Sequence, residues 1–309
     1  MSQVNHQSTN LVIRLATALV IILSFWFVFS ELNSNNVDFL AAMKGADANV
    51  ILGFFFVATV LCLGPLIWLV MMQGSGAQIS LRASYAIWWS TNIAKYVPGK
   101  VSLIAGRAWV ARRWGSKVVI ESFAWEVIIS TSSALIASCL LLPFGELSLE
   151  VRILLGISAV VSLFPLISPK LTQELVRKPL RLLGRGEWET ETTMSRKHYS
   201  AALLLMIISW LLWGLAHKFI LIGLGYNASI TLLIGSFAIA WLIGFFAFFL
   251  PAGLGAREGV FTYILSLFLV GGIGAILSIV SRTVNVLVEV VFFMIGMVMM
   301  KSLKLAEEE

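Results

Sequence analysis

The chain consists mainly of long apolar runs that are separated by short polar segments. A membrane-spanning helix needs about 20 predominantly apolar residues to cross a hydrocarbon core of about 30 Å. The first run lacks an Ala-x-Ala-like cleavage site, so we interpret it as a membrane anchor rather than a signal peptide. Including this run, the pattern predicts spans at roughly 11–29, 49–72, 118–143, 151–168, 200–223, 229–250 and 283–300.

Two further segments, 83–106 and 251–281, contain Pro and Gly between short apolar halves. Neither has the pattern of an ordinary span, and each is expected to form a re-entrant hairpin or a discontinuous helix. The predicted fold is therefore an all-α polytopic integral membrane protein, with about 7–8 transmembrane helices plus two broken segments.

Composition supports this fold class, because 59% of the residues are hydrophobic and 12% are charged. An ordinary soluble domain has about 45–50% and about 25%. We predict a single membrane domain over 1–309, in which a basic connection at 169–198 joins two halves at about 11–168 and 199–300. A two-repeat arrangement of these halves is left open. Cys62 and Cys139 lie inside apolar runs and are interpreted as buried small hydrophobes.

Loop charges predict the orientation, because cytoplasmic loops collect Lys and Arg. The segments 95–117 and 170–198 are rich in both, whereas 30–48, 144–150 and 224–228 together contain Lys44 as their only basic residue. We expect the basic segments and the N-terminus to be cytoplasmic in an inner (plasma) membrane. The connection at 169–198 suits an amphipathic helix on an anionic leaflet. The pI of about 9.5 follows from this topology and does not indicate nucleic acid.

No catalytic motif stands out in the sequence. His6, His198 and His217 have no metal-ligand spacing, and there is no Walker-type phosphate loop and no Gly-x-Ser-x-Gly elbow. We expect neither an enzyme nor a bound cofactor or metal.

Ionisable and amide residues are sparse within the apolar runs. Such groups cost several kcal/mol in lipid unless they are paired or face water, so they are candidates for a site. An alternative for Glu121 is solvation near a helix end, and an alternative for Lys218 is snorkelling to the outer interface. Arg282, Asn285 and Glu289 have the alternative of forming a polar seam between helices. The set is Glu121, Glu126, His217, Lys218, Arg282, Asn285 and Glu289.

The break FFLPAGLGARE at 248–258 places Arg257 and Glu258 shortly after Pro251 and two glycines. The segment KYVPGKVSLIAGR at 95–107 has a similar order and ends at Arg107. In transporters built from two repeats, broken helices meet near the midplane and offer free N–H groups to an anion. If the likeness is a repeat rather than chance, Arg107 and Arg257 are equivalent cations at one central site.

These motifs together resemble the lysylphosphatidylglycerol synthase transmembrane-region family, the flippase-like domain family. The resemblance covers nearly the whole chain, and its most specific element is Pro251-x-Gly253-x-Gly255-x-Arg257-Glu258. Ala252 replaces the usual second glycine, and Val127 and Ser130 stand where the family tends to show Arg and Asp. The other matching residues are Pro98-Gly99, Arg107, Glu126 and Arg282-x-x-Asn285.

The resemblance implies translocation of a lipid with a polar head group, such as aminoacyl-phosphatidylglycerol or a polyprenyl-phosphate-linked sugar. Fused members carry an aminoacyl-transferase domain, and the chain ends at LKLAEEE with nothing comparable, so synthesis is not expected. The expected partners are membrane lipids, with a lipid-modifying enzyme or a glycosyltransferase and a second copy of the chain left open.

A lipid phosphate crosses the hydrocarbon only if cations and N–H dipoles replace its water. We hypothesise that Arg107, Arg257 and Arg282 replace the water of the phosphate. In the empty state, Glu126, Glu258 and Glu289 are expected to hold these arginines. The alternatives are a secondary transporter of a small soluble anion or amino acid, and a non-transporting membrane scaffold for a glycosyltransferase. The candidate substrate-binding residues are Lys95, Pro98, Gly99, Arg107, Glu126, Pro251, Gly253, Gly255, Arg257, Glu258, Arg282, Asn285 and Glu289.

Overall fold

The computed structural model describes residues 47–97, 101–142, 148–183, 194–269 and 272–308, together with the single positions Trp26, Ser30, Asn33 and Lys44. This described part is all-helical. Five of its stretches are long and apolar enough to cross a membrane, which confirms the polytopic fold class. They are Asn49–Gly74, Ser116–Leu141, Leu149–Ile167, Arg196–Gly223 and Ile273–Leu303.

Eleven α-helices make up the described residues, and three 3₁₀ turns lie between them at Ile93–Tyr96, Arg112–Trp114 and Pro251–Gly253. The predicted run at 11–29 lies outside the described residues except for Trp26, so the total number of spans stays a prediction. The helices are α1 Asn49–Gly74, α2 Leu81–Asn92, α3 Val101–Val110, α4 Ser116–Leu141, α5 Leu149–Val161, α6 Phe164–Ile167, α7 Pro169–Leu183, α8 Arg196–Gly223, α9 Ile230–Phe246, α10 Ala256–Ser266 and α11 Ile273–Glu308.

Helices α1 and α8 form the most extensive helix pair, and they run antiparallel. Gly53 near the start of α1 lies against Ile220 near the end of α8, and Gly74 lies against Met194 just before α8. A Cβ on Gly53 would lie 2.5 Å from Ile220 Cγ1. Small residues let helix backbones approach closely, which strengthens van der Waals packing between membrane helices.

Both predicted broken segments contain short helices, and the second segment also includes the start of α11. Residues 83–106 fall on α2, a 3₁₀ turn and α3, and their Pro-Gly positions 98–99 lie outside the described residues. The second segment forms the turn Pro251–Gly253 and then α10, which doubles back between α9 and α11. Gly244 of α9 approaches Arg257, and the Ser278 hydroxyl of α11 donates to the Glu258 carbonyl oxygen at 3.1 Å.

The span expected at 229–250 corresponds to α9, which ends at Phe246 because the chain turns before Pro251. The predicted start of the last helix was wrong. The last helix begins at Ile273 and not near 283, so Arg282 lies inside it. The sequence pattern places 273–281 in the broken segment because the glycines within 271–274 and the charge of Arg282 bound this short apolar run.

Several exposed cations gather at one end of the molecule. Trp114, just before α4, donates its Nε1–H to the carbonyl oxygen of Gln78, just after α1, at 3.0 Å. Arg82 Nη2 of α2 donates to Ser302 Oγ of α11 at 2.9 Å. The end of α1, the start of α4 and the last turns of α11 therefore lie at the same end. The start of α8 lies there too, because Met194 contacts Gly74. We call it the basic end, and its exposed cations are Arg82, Arg112, Arg113, Lys117, Arg196, Lys197 and Lys301.

Candidate functional site

A cavity of about 240 Å³ lies between the helices, and residues from α1 to α4 and α8 to α11 line it. The lining residues of the long helices come from their middle turns, at 60–67 of α1, 123–130 of α4 and 206–213 of α8. A volume of about 10–15 Å³ already holds one water molecule, so this cavity has room for several waters or a head group. Because these lining residues come from middle turns, the cavity lies at mid-height of the spanning helices.

Arg107 on α3 and Glu126 on α4 face each other across the cavity wall. Arg107 Nη1 lies 2.9 Å from Glu126 Oε2. The guanidinium is 1% exposed and lies 5.3 Å from the ring centroid of Trp68 and 5.8 Å from that of Trp88. Aromatic faces attract a cation, which offsets part of its lost hydration.

Glu258 links two further arginines. Its Oε1 lies 3.3 Å from Arg257 Nε and 3.5 Å from Arg282 Nη1. Its Oε2 accepts a hydrogen bond from the Gly255 backbone N–H at 2.7 Å, which closes the first turn of α10. The carboxylate therefore both caps a broken helix and holds two cations that line the cavity.

Glu289 on α11 has different partners from those we hypothesised. Its Oε1 lies 2.5 Å from Lys95 Nζ, and its Oε2 accepts from the Tyr96 hydroxyl at 2.9 Å. The expectation that Glu289 holds an arginine is therefore wrong for its direct contacts. Arg282 instead lies over the Tyr96 ring, 5.4 Å from the centroid, which places this cation beside the same cluster.

The cluster has unused hydrogen-bonding capacity. Arg282 Nε and Nη2, Arg107 Nε and Asn285 Oδ1 are buried and have no hydrogen-bond partner among the described residues. Leaving such a group unsatisfied costs about 1–3 kcal/mol or more. Because Arg282 and Asn285 line the cavity, water or a bound anion there would satisfy these groups.

A sequence model of the family described as the lysylphosphatidylglycerol synthase transmembrane region matches residues 12–292, which is nearly the whole chain. The chain belongs to this family. A comparison with curated protein sequences gives no significant match. The family and the apolar helices together establish an integral membrane protein of a lipid-related class.

The signature residues of this lysylphosphatidylglycerol synthase transmembrane region converge on the cavity from five elements. Pro251, Gly253 and Gly255 form the break that positions Arg257, while Pro98 and Gly99 lie outside the described residues. Glu258 lies behind the two arginines that it holds. The predicted residues that line the cavity are Lys95, Arg107, Glu126, Arg257, Arg282, Asn285 and Glu289.

The residues at which the sequence departs from the expected family pattern also lie at the cavity. Val127 and Ser130 line it beside Glu126, so this part of the lining adds no second charge pair. Ala252, which replaces a glycine, adopts φ 50 and ψ 27, a left-handed conformation that favours glycine. The two Pro-Gly segments place their arginines differently, since Arg257 follows directly on the first residue of α10 and Arg107 lies near the end of α3.

Three other candidates lie outside the cavity lining. His217 is fully buried among aromatic rings, and its Nδ1 donates to the Trp213 carbonyl oxygen at 2.6 Å. Lys218 reaches Asn227 Oδ1 and the Ala228 carbonyl oxygen beyond the end of α8. The solvated alternative for Glu121 is wrong, because this carboxylate is 1% exposed and lies 3.2 Å from Arg177 Nη2.

Sequence reasoning missed Tyr96 and the aromatic part of the cavity. Tyr96 follows Lys95 directly, and a tyrosine hydroxyl at membrane depth needs a polar partner, which was an available signal. The aromatic residues gave no such signal, because Trp and Phe are ordinary in membrane helices. Those that line the cavity are Trp88, Phe123, Trp210, Trp213, Trp241 and Phe245.

Proposed function

We propose that this protein translocates an anionic or head-group-modified lipid between the two leaflets, and that the central cavity holds the phosphate of its head group at mid-height. The observation that carries the proposal is the charge of the buried cluster. Four cations, Lys95, Arg107, Arg257 and Arg282, stand against the three carboxylates Glu126, Glu258 and Glu289. The cluster therefore has an excess of one positive charge for an anion to neutralise.

A phosphate in hydrocarbon loses its hydration, which costs tens of kcal/mol in the idealised case without compensation. The guanidinium groups of Arg107, Arg257 and Arg282 replace water with charge-assisted hydrogen bonds, and each can bind a phosphate bidentately. The N-terminus of α10 adds free backbone N–H groups and a positive dipole end next to Arg257. These supports converge on one cavity.

The carboxylates serve as stand-ins for the substrate in this mechanism. Glu258 holds Arg257 and Arg282 at 3.3 and 3.5 Å, which is longer than a tight charge-assisted bond of about 2.7–2.9 Å. An arriving phosphate takes over these arginines and uses the N–H groups of Arg282 that have no partner. When the lipid leaves, Glu258 takes them back, so the empty cavity never contains unpaired cations.

The basic end is proposed to be cytoplasmic, with the N-terminus on the same side of an inner (plasma) membrane. Lys95 and Arg107 lie in the cavity and do not bear on orientation, but the exposed cations still favour this end. Aminoacyl-phosphatidylglycerol and polyprenyl-phosphate-linked sugars both carry the required phosphate. A lipid-modifying enzyme or a glycosyltransferase is the class of partner that supplies such substrates.

The first test compares wild type with Arg257→Ala and identifies co-purifying lipids by mass spectrometry. A minor phospholipid or polyprenyl-phosphate glycolipid that is enriched in wild type and lost in the variant supports the proposal and names the head group. Lys197→Ala, which removes an exposed cation at the basic end, is the matched control and retains the lipid. Identical bulk lipids in all three proteins favour a transporter of a soluble anion.

The second test measures flux of the identified lipid in proteoliposomes. Arg257→Ala and Arg257→Lys are both expected to abolish transport while the proteins remain folded, because a lysine cannot bind phosphate bidentately. Wild-type flux by Arg257→Ala would defeat the assignment of this residue. The temperature at which each detergent-solubilised variant aggregates checks that its fold is intact.

A further inference from the structure

A second concavity of about 330 Å³ lies at the basic end, between α2, the end of α3 and the last turns of α11. Its lining residues differ from those of the central cavity. Leu103 and Arg107 of α3 line the cavity, whereas Trp109 and Val110 at the end of the same helix line the concavity. We call it the interfacial groove, and its apolar lining contains Ile87, Val110, Met300 and Leu303.

The rim of the interfacial groove consists of two arginine and tryptophan pairs. The Arg112 guanidinium lies 4.6 Å from the Trp109 ring centroid, and the Arg113 guanidinium lies 3.8 Å from that of Trp114. Trp109 is 70% exposed and forms part of the surface at the basic end. Tryptophan is enriched at the head-group level of membranes, and arginine snorkels to the same level.

The charge of the rim matches an anion. Arg112 Nη1 donates to the Trp109 carbonyl oxygen at 3.1 Å, and a guanidinium stacked on a ring keeps its other N–H donors in the plane of its edge. No acidic side chain lines the groove within the described residues. An apolar floor below a cationic rim fits a molecule with a hydrocarbon chain and an anionic head, whereas a soluble anion would use the rim alone.

We propose that the interfacial groove binds one anionic phospholipid of the leaflet at the basic end. Its acyl chain lies in the apolar lining between α2 and α11, and its phosphate lies between Arg112 and Arg113. This site is distinct from the central cavity and does not depend on the proposed translocation. It holds an anionic lipid against α3, the helix that carries Arg107.

Native mass spectrometry of the purified full chain tests this site, with phosphatidylglycerol and phosphatidylcholine titrated in separate experiments. Wild type is expected to bind phosphatidylglycerol more tightly than phosphatidylcholine. The double variant Arg112→Gln/Arg113→Gln should weaken phosphatidylglycerol binding by about fivefold for each arginine removed, while phosphatidylcholine binding changes little. Lys197→Gln, an exposed cation outside the groove, should leave both affinities unchanged.

Met300→Trp is the second variant, and it fills the groove without changing any charge. It should weaken binding of both lipids, which a purely electrostatic attraction to the basic end would not produce. If the double variant misfolds, Met300→Trp still tests whether lipid binds in the groove. Binding of phosphatidylglycerol that is unaffected by Met300→Trp overturns the proposed acyl-chain position, and unaffected binding by the folded double variant overturns the site.

A competition experiment separates the lipid from a soluble anion. Millimolar inorganic phosphate should fail to displace phosphatidylglycerol from wild type, because it cannot use the apolar lining. Displacement at that concentration would show that the rim is an anion site and would overturn the lipid. Arg257→Ala retains groove binding in our proposal, so loss of flux in that variant and loss of lipid in the groove variants are independent results.

Discussion

Two buried glutamates, Glu121 and Glu258, each lie beside arginine but in different surroundings. Glu121 of α4 is 1% exposed, accepts from Gln173 Nε2 at 2.5 Å and lies 3.2 Å from Arg177 Nη2. Both partners belong to α7, the amphipathic helix. This cluster lies away from the central cavity and ties a surface helix to the helical core.

Glu258 is 6% exposed, so its burial is similar. Its two arginine partners, however, line the cavity at longer distances, and Arg282 has two nitrogen atoms without a partner among the described residues. Burial of a charge therefore does not by itself mark a functional site. The distinguishing feature is the cavity beside the pair, which Arg257 and Arg282 line and which the Glu121 cluster does not reach.

The largest expected effect comes from breaking the Glu121 cluster. Arg177→Ala removes the cation beside a carboxylate that is 1% exposed, and breaking a buried pair in this way costs about 3–5 kcal/mol. The free energy of unfolding in mixed detergent micelles measures this loss. Transport per folded molecule should stay at the wild-type level, because the cluster does not reach the cavity.

Lys197→Ala is the matched control for stability, since its exposed cation should contribute within about 0.5 kcal/mol. If Arg177→Ala is as stable as this control but loses flux, the Glu121 cluster belongs to the transport machinery. The distinction between the two glutamates would then be lost.

Glu258→Gln is expected to have a smaller effect on stability and a larger one on turnover. The amide can still accept from the Gly255 N–H, but it no longer competes with phosphate for Arg257 and Arg282. If the lost competition strengthens lipid binding by about 1.4 kcal/mol, the lipid should bind about tenfold more tightly. The lipid should then leave more slowly, and maximal flux should fall by a similar factor. Flux measured over a range of lipid concentrations separates the two effects.

The reverse result would also be informative. If Glu258→Gln is unfolded in detergent under conditions where wild type is stable, Glu258 is a structural ion-pair residue like Glu121. Weaker lipid binding in a folded variant would contradict the exchange of partners, because removal of a competing carboxylate cannot weaken an anion site by electrostatics.

Hydropathy was sufficient for the long helices of this fold. Four predicted spans agree with α1, α4, α8 and the stretch Leu149–Ile167 to within about four residues, because each is a nearly unbroken apolar run. The signal failed at Arg282, where a charge inside α11 interrupted the run. Helix boundaries near buried charges depend on their partners, which hydropathy does not encode.

The site could be predicted in its composition but not in its pairing. Charges inside apolar runs are costly, so Glu126, Arg282 and Glu289 were recognisable as candidates. The contact between Lys95 and Glu289 joins residues that are 194 positions apart, and no local pattern predicts it. Which carboxylate meets which cation follows from how α2 and α11 pack.

The smallest expected effect tests the break itself, without changing any charge. Ala252 has φ 50, and a left-handed conformation costs an alanine roughly 1–2 kcal/mol. Ala252→Gly removes this strain but adds entropy to the unfolded chain, so a gain of about 1 kcal/mol or less in unfolding free energy is expected. Gly253→Ala is the contrasting variant, because its Cβ would lie 2.5 Å from the Gly244 carbonyl oxygen and should destabilise the protein. A loss of stability in Ala252→Gly would show that the alanine methyl packs usefully at the cavity, and that the break depends on this side chain as well as on backbone conformation.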